Sequence, residues 1–264
     1  LWNLALAFMG FALAVFGTLA LAGIVWQLAW TIGRGRVVYL GVAYYLWKSI
    51  YRFSDTIRGL TFNETFLYVG LGSAVFILLK TYTDWYIHYE IREGIISMYL
   101  IKPIDYQLYA LFTSFGSLLM GLTAITIPTA LVLLFVFKVQ FTLGLGLFLF
   151  PLSLFLAFLV SFSIDYFVGL FGFYSESVWG LSTTKEIIVT VFSGALIPLQ
   201  FFPDAIQNVL HWLPFQAIFH TPLMMITRPD QGWEIFLPML LVQVGWAAAL
   251  FLLARLFYHQ AVKV

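Results

Sequence analysis

Long stretches without a charged residue constrain this chain more than any other feature of its sequence. Residues 1–33 carry no charge, and neither do the 32 residues from Tyr106 to Phe137. A helix of about 20 apolar residues crosses the hydrocarbon core of a bilayer, so each stretch is long enough to span it. Hydrophobic residues make up 62% of the chain and charged residues 9%. A soluble domain has roughly 45–50% and 25%. The sequence therefore predicts an all-α polytopic membrane protein.

Charged and proline-containing breaks divide the apolar sequence into candidate spans. The predicted spans are residues 4–30, 64–88, 106–137, 143–165, 187–202 and 235–254, with a shorter apolar run at residues 37–51. This shorter run is either a short span whose Lys48 reaches the interface or a helix lying on the membrane surface. The span at 106–137 contains Pro128 and is too long for a perpendicular helix, so we expect it to tilt.

Charge is concentrated in the run from Tyr89 to Tyr109, and we name its first part, residues 89–104, the polar segment. Its flanking apolar stretches make it a solvent-side connection between two spans. Ile91, Ile95 and Tyr99 recur at helical spacing, which predicts a short interfacial helix; an ordinary charged loop is the alternative. Pro103 is expected to end this helix, and Asp105 is expected to cap the next one.

Three prolines interrupt the apolar sequence before the last span. Pro203, Pro214 and Pro222 leave no room for an unbroken 20-residue helix between residues 203 and 228. We name residues 203–228 the proline-broken segment. Two short helices that enter the outer leaflet and return satisfy both the hydrophobicity and the breaks, so we expect a re-entrant outer hairpin.

The basic C-terminal tail sets the expected orientation. Arg255, His259 and Lys263 follow the last span and favour the cytoplasmic side. Alternation of the intervening spans places the polar segment on the same side as this tail. We therefore expect both the polar segment and the C-terminus to be cytoplasmic.

A few ionisable residues lie within or beside the apolar runs. Lys80 and Asp84 are four residues apart and can pair on one helical face, either as interfacial anchors or as a charged relay. Asp165 is either a functional residue within a span or the solvated end of a helix. His211 and His220 are nine residues apart with no further ligand nearby, which favours interfacial histidines over a haem or metal pair.

Several kinds of chemistry find no support in the sequence. The chain has no cysteine, which excludes disulfides, thiolate metal sites and cysteine nucleophiles. It lacks the glycine-rich nucleotide-binding motifs and the GxSxG nucleophile motif. Its thirteen basic residues are dispersed and the net charge is +1, so nucleic acid is not an expected partner. We predict no catalytic or metal-binding residue and no cofactor in this chain.

Three stretches make the sequence resemble the ABC-2 type permeases, in particular the group related to daunorubicin and viologen exporters. The stretch from Glu90 to Tyr109 is similar to the family's first cytoplasmic loop, with its basic residue, glycine and Leu-x-Lys/Arg-Pro ending. Phe173 to Leu181 is similar to the second cytoplasmic turn. Gly194 to Phe215 is similar to the family's Gly-x-x-x-Pro, Phe-Pro and Leu-Pro-Phe series before the last span. The resemblance covers about residues 47–264.

The resemblance implies a fold, a function and partners. The fold would have six spans, as in the type V, ABCG-like exporters, with residues 1–30 as a possible extra N-terminal hydrophobic helix. The chain would be a permease subunit in a bacterial inner membrane that exports a hydrophobic or amphipathic substrate. It would contact membrane lipid, a second permease copy or paralogue, and a separate ABC ATPase subunit that binds ATP and magnesium. A non-transporting anchor or assembly subunit for a cytoplasmic protein is the alternative.

The resemblance also implies two sets of site residues. Residues 89–104 would form a cytoplasmic coupling helix that contacts the ATPase through Glu90, Arg92, Glu93, Gly94, Met98, Leu100, Lys102 and Pro103. The outer hairpin and its approach would include Gly194, Pro198, Phe202, Pro203, Pro214 and Phe215.

Overall fold

The computed structural model describes residue 35 and residues 37–140 and 142–263, so the predicted span at residues 4–30 lies outside the described residues. The chain divides into two compact units, Leu1–Val42 and Ala43–Val264. Helix α1, residues 37–50, begins in the first unit. The elements that follow all belong to the second unit. Its strands, β1 (Thr56–Ile57) and β2 (Leu60–Thr61), form a minimal antiparallel hairpin.

Ten further helices make up the described part of the second unit. They are α2 (Phe62–Leu79), α3 (Thr83–Arg92), α4 (Ile96–Ile101), α5 (Tyr106–Gly121), α6 (Ile127–Phe135), α7 (Leu145–Gly169), α8 (Trp179–Phe192), α9 (Asp204–Leu210), α10 (His220–Thr227) and α11 (Trp233–Ala261). Short 3-10 turns lie at Tyr51–Phe53, Leu170–Phe173 and Leu199–Phe201, and a π-helical turn at Leu122–Thr126 joins α5 to α6.

Four stretches of the described chain are long and apolar enough to cross a membrane: Phe62–Arg92, Tyr106–Phe135, Leu145–Phe173 and Trp233–Ala261. They correspond to the predicted spans at 64–88, 106–137, 143–165 and 235–254. The prediction of an all-α membrane protein is confirmed. Helix α8, in contrast, begins eight residues before the predicted span at 187–202 and ends at Phe192. Its 14 residues cover about 21 Å, less than the ~30 Å hydrocarbon core.

The second span accommodates its proline through a change of helix type. Pro128 lacks an N–H, and its ring would clash with the carbonyl of Ala124 in a regular α-helix. The π-helical turn Leu122–Thr126 lies immediately before it, and Pro128 is the second residue of α6. The wider π turn separates these groups, so the helical path continues from Tyr106 to Phe135.

The span Phe62–Arg92, which begins with helix α2, is the most buried of the four. Thr61 and Glu64 form a capping box at its start, which satisfies backbone N–H groups of the first turn. Two thirds of the membrane-length window of Phe62–Arg92 is buried, against 22% for Tyr106–Phe135 and for Trp233–Ala261. The span Phe62–Arg92 is therefore central in the second unit, whereas Tyr106–Phe135 and Trp233–Ala261 are peripheral.

Polar contacts identify two ends of the helical bundle. At one end, Arg228 Nε bonds Glu64 Oε1 at 2.8 Å, and Gly146 N donates to Pro229 O at 3.0 Å. We call this the Arg228 end. At the other, Arg255 contacts Asp105 at 2.6 Å, beside the polar segment. The polar segment and the last turns of α11 therefore lie at the same end, in agreement with the alternation of spans.

Candidate functional site

The polar segment is divided between two helices. Helix α3 ends at Arg92, and Gly94 follows with a φ of +71°, the left-handed conformation that glycine adopts without strain. Helix α4 begins at Ile96, and the Gly94 carbonyl accepts a bond from the Ser97 hydroxyl at 2.7 Å. The helical spacing of the apolar residues predicted one helix here. The structure has a break instead, because Gly94 ends the first helix.

Both local predictions at the end of the polar segment are confirmed. Helix α4 stops before Pro103, with Lys102 in an extended conformation. The Asp105 side chain accepts a hydrogen bond from Leu108 N at 3.1 Å and so caps α5. Asp105 also contacts Arg255. The start of α5 is therefore connected to the last turns of α11.

The residues expected to meet a partner lie almost entirely on the surface of the polar segment. Seven of the eight are exposed and the eighth, Glu90, is partly buried: Arg92, Glu93, Gly94, Met98, Leu100, Lys102 and Pro103 form the exposed group. Arg92 and Glu93 pair at 2.9 Å, with side chains 58% and 44% exposed. Met98 and Ile101 add exposed apolar side chains. The surface combines charge with apolar contact area, which suits a protein partner.

The inner side of the polar segment is held by a cluster of tyrosines. Glu90 accepts a hydrogen bond from the Tyr106 hydroxyl at 2.5 Å, and the Tyr106 ring stacks on Tyr258 with centroids 5.7 Å apart. The Tyr99 hydroxyl donates to Tyr109 at 3.0 Å. This hydrogen bond is the main reason why the pKa of Tyr99 is raised to about 12. Tyr99 therefore stays neutral at physiological pH and remains a hydrogen-bond donor.

The stretch from Phe173 to Leu181 lies beside α3. A cleft with about 630 Å³ of empty space, part of it open to solvent, separates the two. Trp85, His88 and Arg92 line one side, and residues Glu176 to Trp179 line the other. The two stretches compared with cytoplasmic loops thus lie side by side at the polar-segment end.

The proline-broken segment contains the short helices α9 and α10, and the approach to it is closely packed. Gly194 has a φ of +81°, and a Cβ atom there would lie 2.8 Å from the Tyr68 hydroxyl. That hydroxyl donates to Gly194 O at 3.0 Å. Gly194 and Pro198 are buried, Phe202, Pro214 and Phe215 are partly buried, and Pro203 is exposed just before α9.

The His211 and His220 rings lie 5.9 Å apart, and His220 Nδ1 is 3.3 Å from the Tyr68 hydroxyl. The described residues include no group of three His, Cys, Asp or Glu side chains with metal-binding geometry.

These features accompany a match over most of the sequence. Residues 37–264 match the family described as ABC-2 family transporter protein. The chain belongs to the ABC-2 transporter family. The comparison with curated proteins gave no significant match. ABC-2 permeases are membrane transport components that work with ABC ATPase subunits.

This ABC-2 protein also contains a buried ion cluster. Lys185 on α8 contacts Asp84 at 2.7 Å and Asp165 at 2.6 Å. Neighbouring Glu186 pairs with Lys80. The expected pair of Lys80 with Asp84 is therefore absent, because the chain leaves the helical path between them and each binds α8 instead. Asp165 is not a solvated helix end, since α7 continues to Gly169 and the carboxylate is buried.

Lys185 is the functional candidate that the sequence did not single out. The adjacent Lys185 and Glu186 have charges opposite to those of Asp84 and Lys80. This match of opposite charges was the only signal in the sequence that pointed to Lys185. It carried no information about which distant residues meet, because Lys185 and Asp84 are 101 positions apart.

Proposed function

We propose that this ABC-2 protein is the permease subunit of an ABC exporter, and that residues 89–104 form its cytoplasmic coupling element. One observation carries the proposal: the polar segment exposes a mixed charged and apolar surface on one side and is bonded to the spans on the other. A partner that pushes on this surface would move the helices behind it.

Two connections offer a path for that movement. The bond from Tyr106 to Glu90 joins the end of α3 to the start of α5. The pair of Asp105 with Arg255 joins the start of α5 to the end of α11. Packed helices connected in this way move as rigid bodies, and ATP-driven closure of the partner would therefore tilt these spans together.

A re-entrant outer hairpin at residues 203–228 is supported by how far one of its contacts lies from the Arg228 end. Gln243 is the eleventh residue of α11, about 15 Å from its start at ~1.5 Å per residue. Its side chain donates a hydrogen bond to the carbonyl of Ala217 at 2.8 Å, so Ala217 lies at that depth. Arg228, the last residue of the segment, is back at the end of the bundle, where it bonds Glu64. The backbone would thus enter the outer leaflet and return, with its polar groups satisfied by protein.

Six spans follow if α1 and α8 are counted with the four long apolar stretches. The Arg228 end would then face outward, and the C-terminus and polar segment would be cytoplasmic in a bacterial inner membrane. The spans contain few polar groups, so a cavity between two permease copies or paralogues would suit a hydrophobic or amphipathic cargo. ATP and magnesium would be bound by the ATPase subunit.

The experiment is a measurement of ATP hydrolysis and transport in vesicles that contain the permease and its ATPase. Arg92→Glu reverses an exposed charge on the polar segment. Arg58→Glu, the matched control, reverses an exposed charge at the opposite end. We expect the first variant to lose stimulated ATPase activity and transport, and the second to retain both.

Equal activity of the Arg92→Glu variant and wild type would contradict the coupling role. Binding of the ATPase without any transport would instead identify the chain as an anchor or assembly subunit.

A further inference from the structure

The first span contains a break close to the polar segment. Helix α2 ends at Leu79 and α3 begins at Thr83. Tyr82, between them, has a φ of +53°, a conformation that non-glycine residues rarely adopt. Such backbone persists where surrounding contacts hold it in place. The span is therefore two rigid helices joined by three residues, Lys80 to Tyr82, and we call this junction the span break.

Contacts from α8 hold both sides of the span break. At its first residue, Lys80 pairs with Glu186; just after it, Asp84 pairs with Lys185. Lys185 also contacts Asp165 on α7, and the Thr81 hydroxyl, within the break, donates to the same carboxylate at 2.8 Å. The Asp84 and Asp165 side chains are 2% and 10% exposed, so these charges interact with little screening by water.

We propose that Lys185 is a positioning residue that sets the angle between α2 and α3, and thereby the placement of the polar segment. The inference deepens the proposed function and rests on it for its meaning in transport. Without the ammonium group, two buried carboxylates would face each other and repel, and the junction would lose the contact that joins it to α7 and α8.

Helix α8 connects the span break to the Phe173–Leu181 stretch. It begins at Trp179, within the stretch Phe173–Leu181, which lies beside α3 across the cleft lined by Trp85 and Arg92. A displacement of that stretch would therefore reach the span break along α8, through Lys185. The polar segment and the Phe173–Leu181 stretch would thus act on the same junction.

The test uses the absence of cysteine in the chain, which allows pairs of spin labels at chosen positions. One label replaces Ile77 on α2 and the other replaces Met98 on α4, both of which are exposed. A control pair, Ile77 with Leu241 on α11, does not cross the span break. In wild type we expect a single narrow distance distribution for each pair.

The variants separate positioning from a purely structural role. Lys185→Met should broaden or shift the 77–98 distribution and leave the 77–241 distribution unchanged, whereas Lys185→Arg should preserve both. The triple variant Asp84→Asn, Asp165→Asn, Lys185→Met removes all three charges and avoids an unpaired buried carboxylate. It should remain folded and still show the altered 77–98 distance, and it decides the question if Lys185→Met fails to fold.

ATPase stimulation supplies the second readout. In the Lys185→Met and triple variants we expect a decrease of about 2- to 30-fold, the range produced by coupling changes of roughly 0.5–2 kcal/mol. Unchanged 77–98 distances in the triple variant would overturn the inference. If wild type itself stimulates no ATPase, the proposed function fails, while the label distances still decide the role of Lys185.

Discussion

Gly194→Ala is predicted to destabilise the fold because it combines a backbone conflict with a steric one. The φ of +81° disfavours any residue with a Cβ atom, at a cost of about 1–2 kcal/mol. The added Cβ would also lie 2.8 Å from the Tyr68 hydroxyl and 3.1 Å from Leu199 Cγ. Displacing Tyr68 breaks its hydrogen bond to Gly194 O, worth about 0.5–1.5 kcal/mol. The expected loss is therefore about 1.5–3.5 kcal/mol.

Three controls divide this cost into its parts. Gly94→Ala has the same backbone conflict in open space and should cost only about 1–2 kcal/mol. Gly116→Ala lies in α5 with open space and no positive φ, and it should be stabilising by about 0.5–1 kcal/mol. In the double variant with Tyr68→Phe, part of the Gly194→Ala cost should disappear.

The measurement is the apparent melting temperature of the purified protein in detergent. At about 2–4 °C per kcal/mol, Gly194→Ala should lower it by roughly 3–14 °C. If Gly194→Ala lowers it no more than Gly94→Ala does, the steric part of the reasoning is refuted.

Two further predictions concern the two ends of the bundle. Arg228→Ala removes a largely buried pair with Glu64 and should cost about 1.5–3 kcal/mol in thermal denaturation. Arg58→Ala breaks an exposed pair and should cost less than about 1 kcal/mol, so equal losses would argue against burial as the cause. Tyr106→Phe removes the bond to Glu90 and should reduce ATPase stimulation more than it lowers the melting temperature; an unchanged stimulation would exclude this bond from the coupling path.

Local chemistry made some features predictable from the sequence. Pro103 ends a helix because its ring prevents continuation, and Asp105 caps the next because its carboxylate reaches a backbone N–H three residues later. Four of the six predicted spans likewise correspond to membrane-length stretches of the structure, since hydrophobic length is a property of the run itself. These features need no information from distant parts of the chain.

Features that depend on distant contacts or on a single backbone conformation were not predictable. Lys185 gains its role from two acids on other helices, and only the packed structure shows which acids those are. Gly94 interrupts a regular apolar spacing because it adopts a left-handed conformation, which the spacing does not encode. Helix α8 ends at Phe192 because the chain turns at Gly194 to pack against Tyr68.

Site-directed crosslinking tests the central claim most directly, because the chain contains no native cysteine. Cysteine would be introduced at Met98 on the polar segment and, as a control, at Met120 on α5, both of which are exposed. Membranes containing the assembled transporter would be treated with a thiol-to-amine crosslinker. We predict a crosslinked product with the ATPase subunit from position 98 and none from position 120. Crosslinking from neither position, or equally from both, would contradict the account.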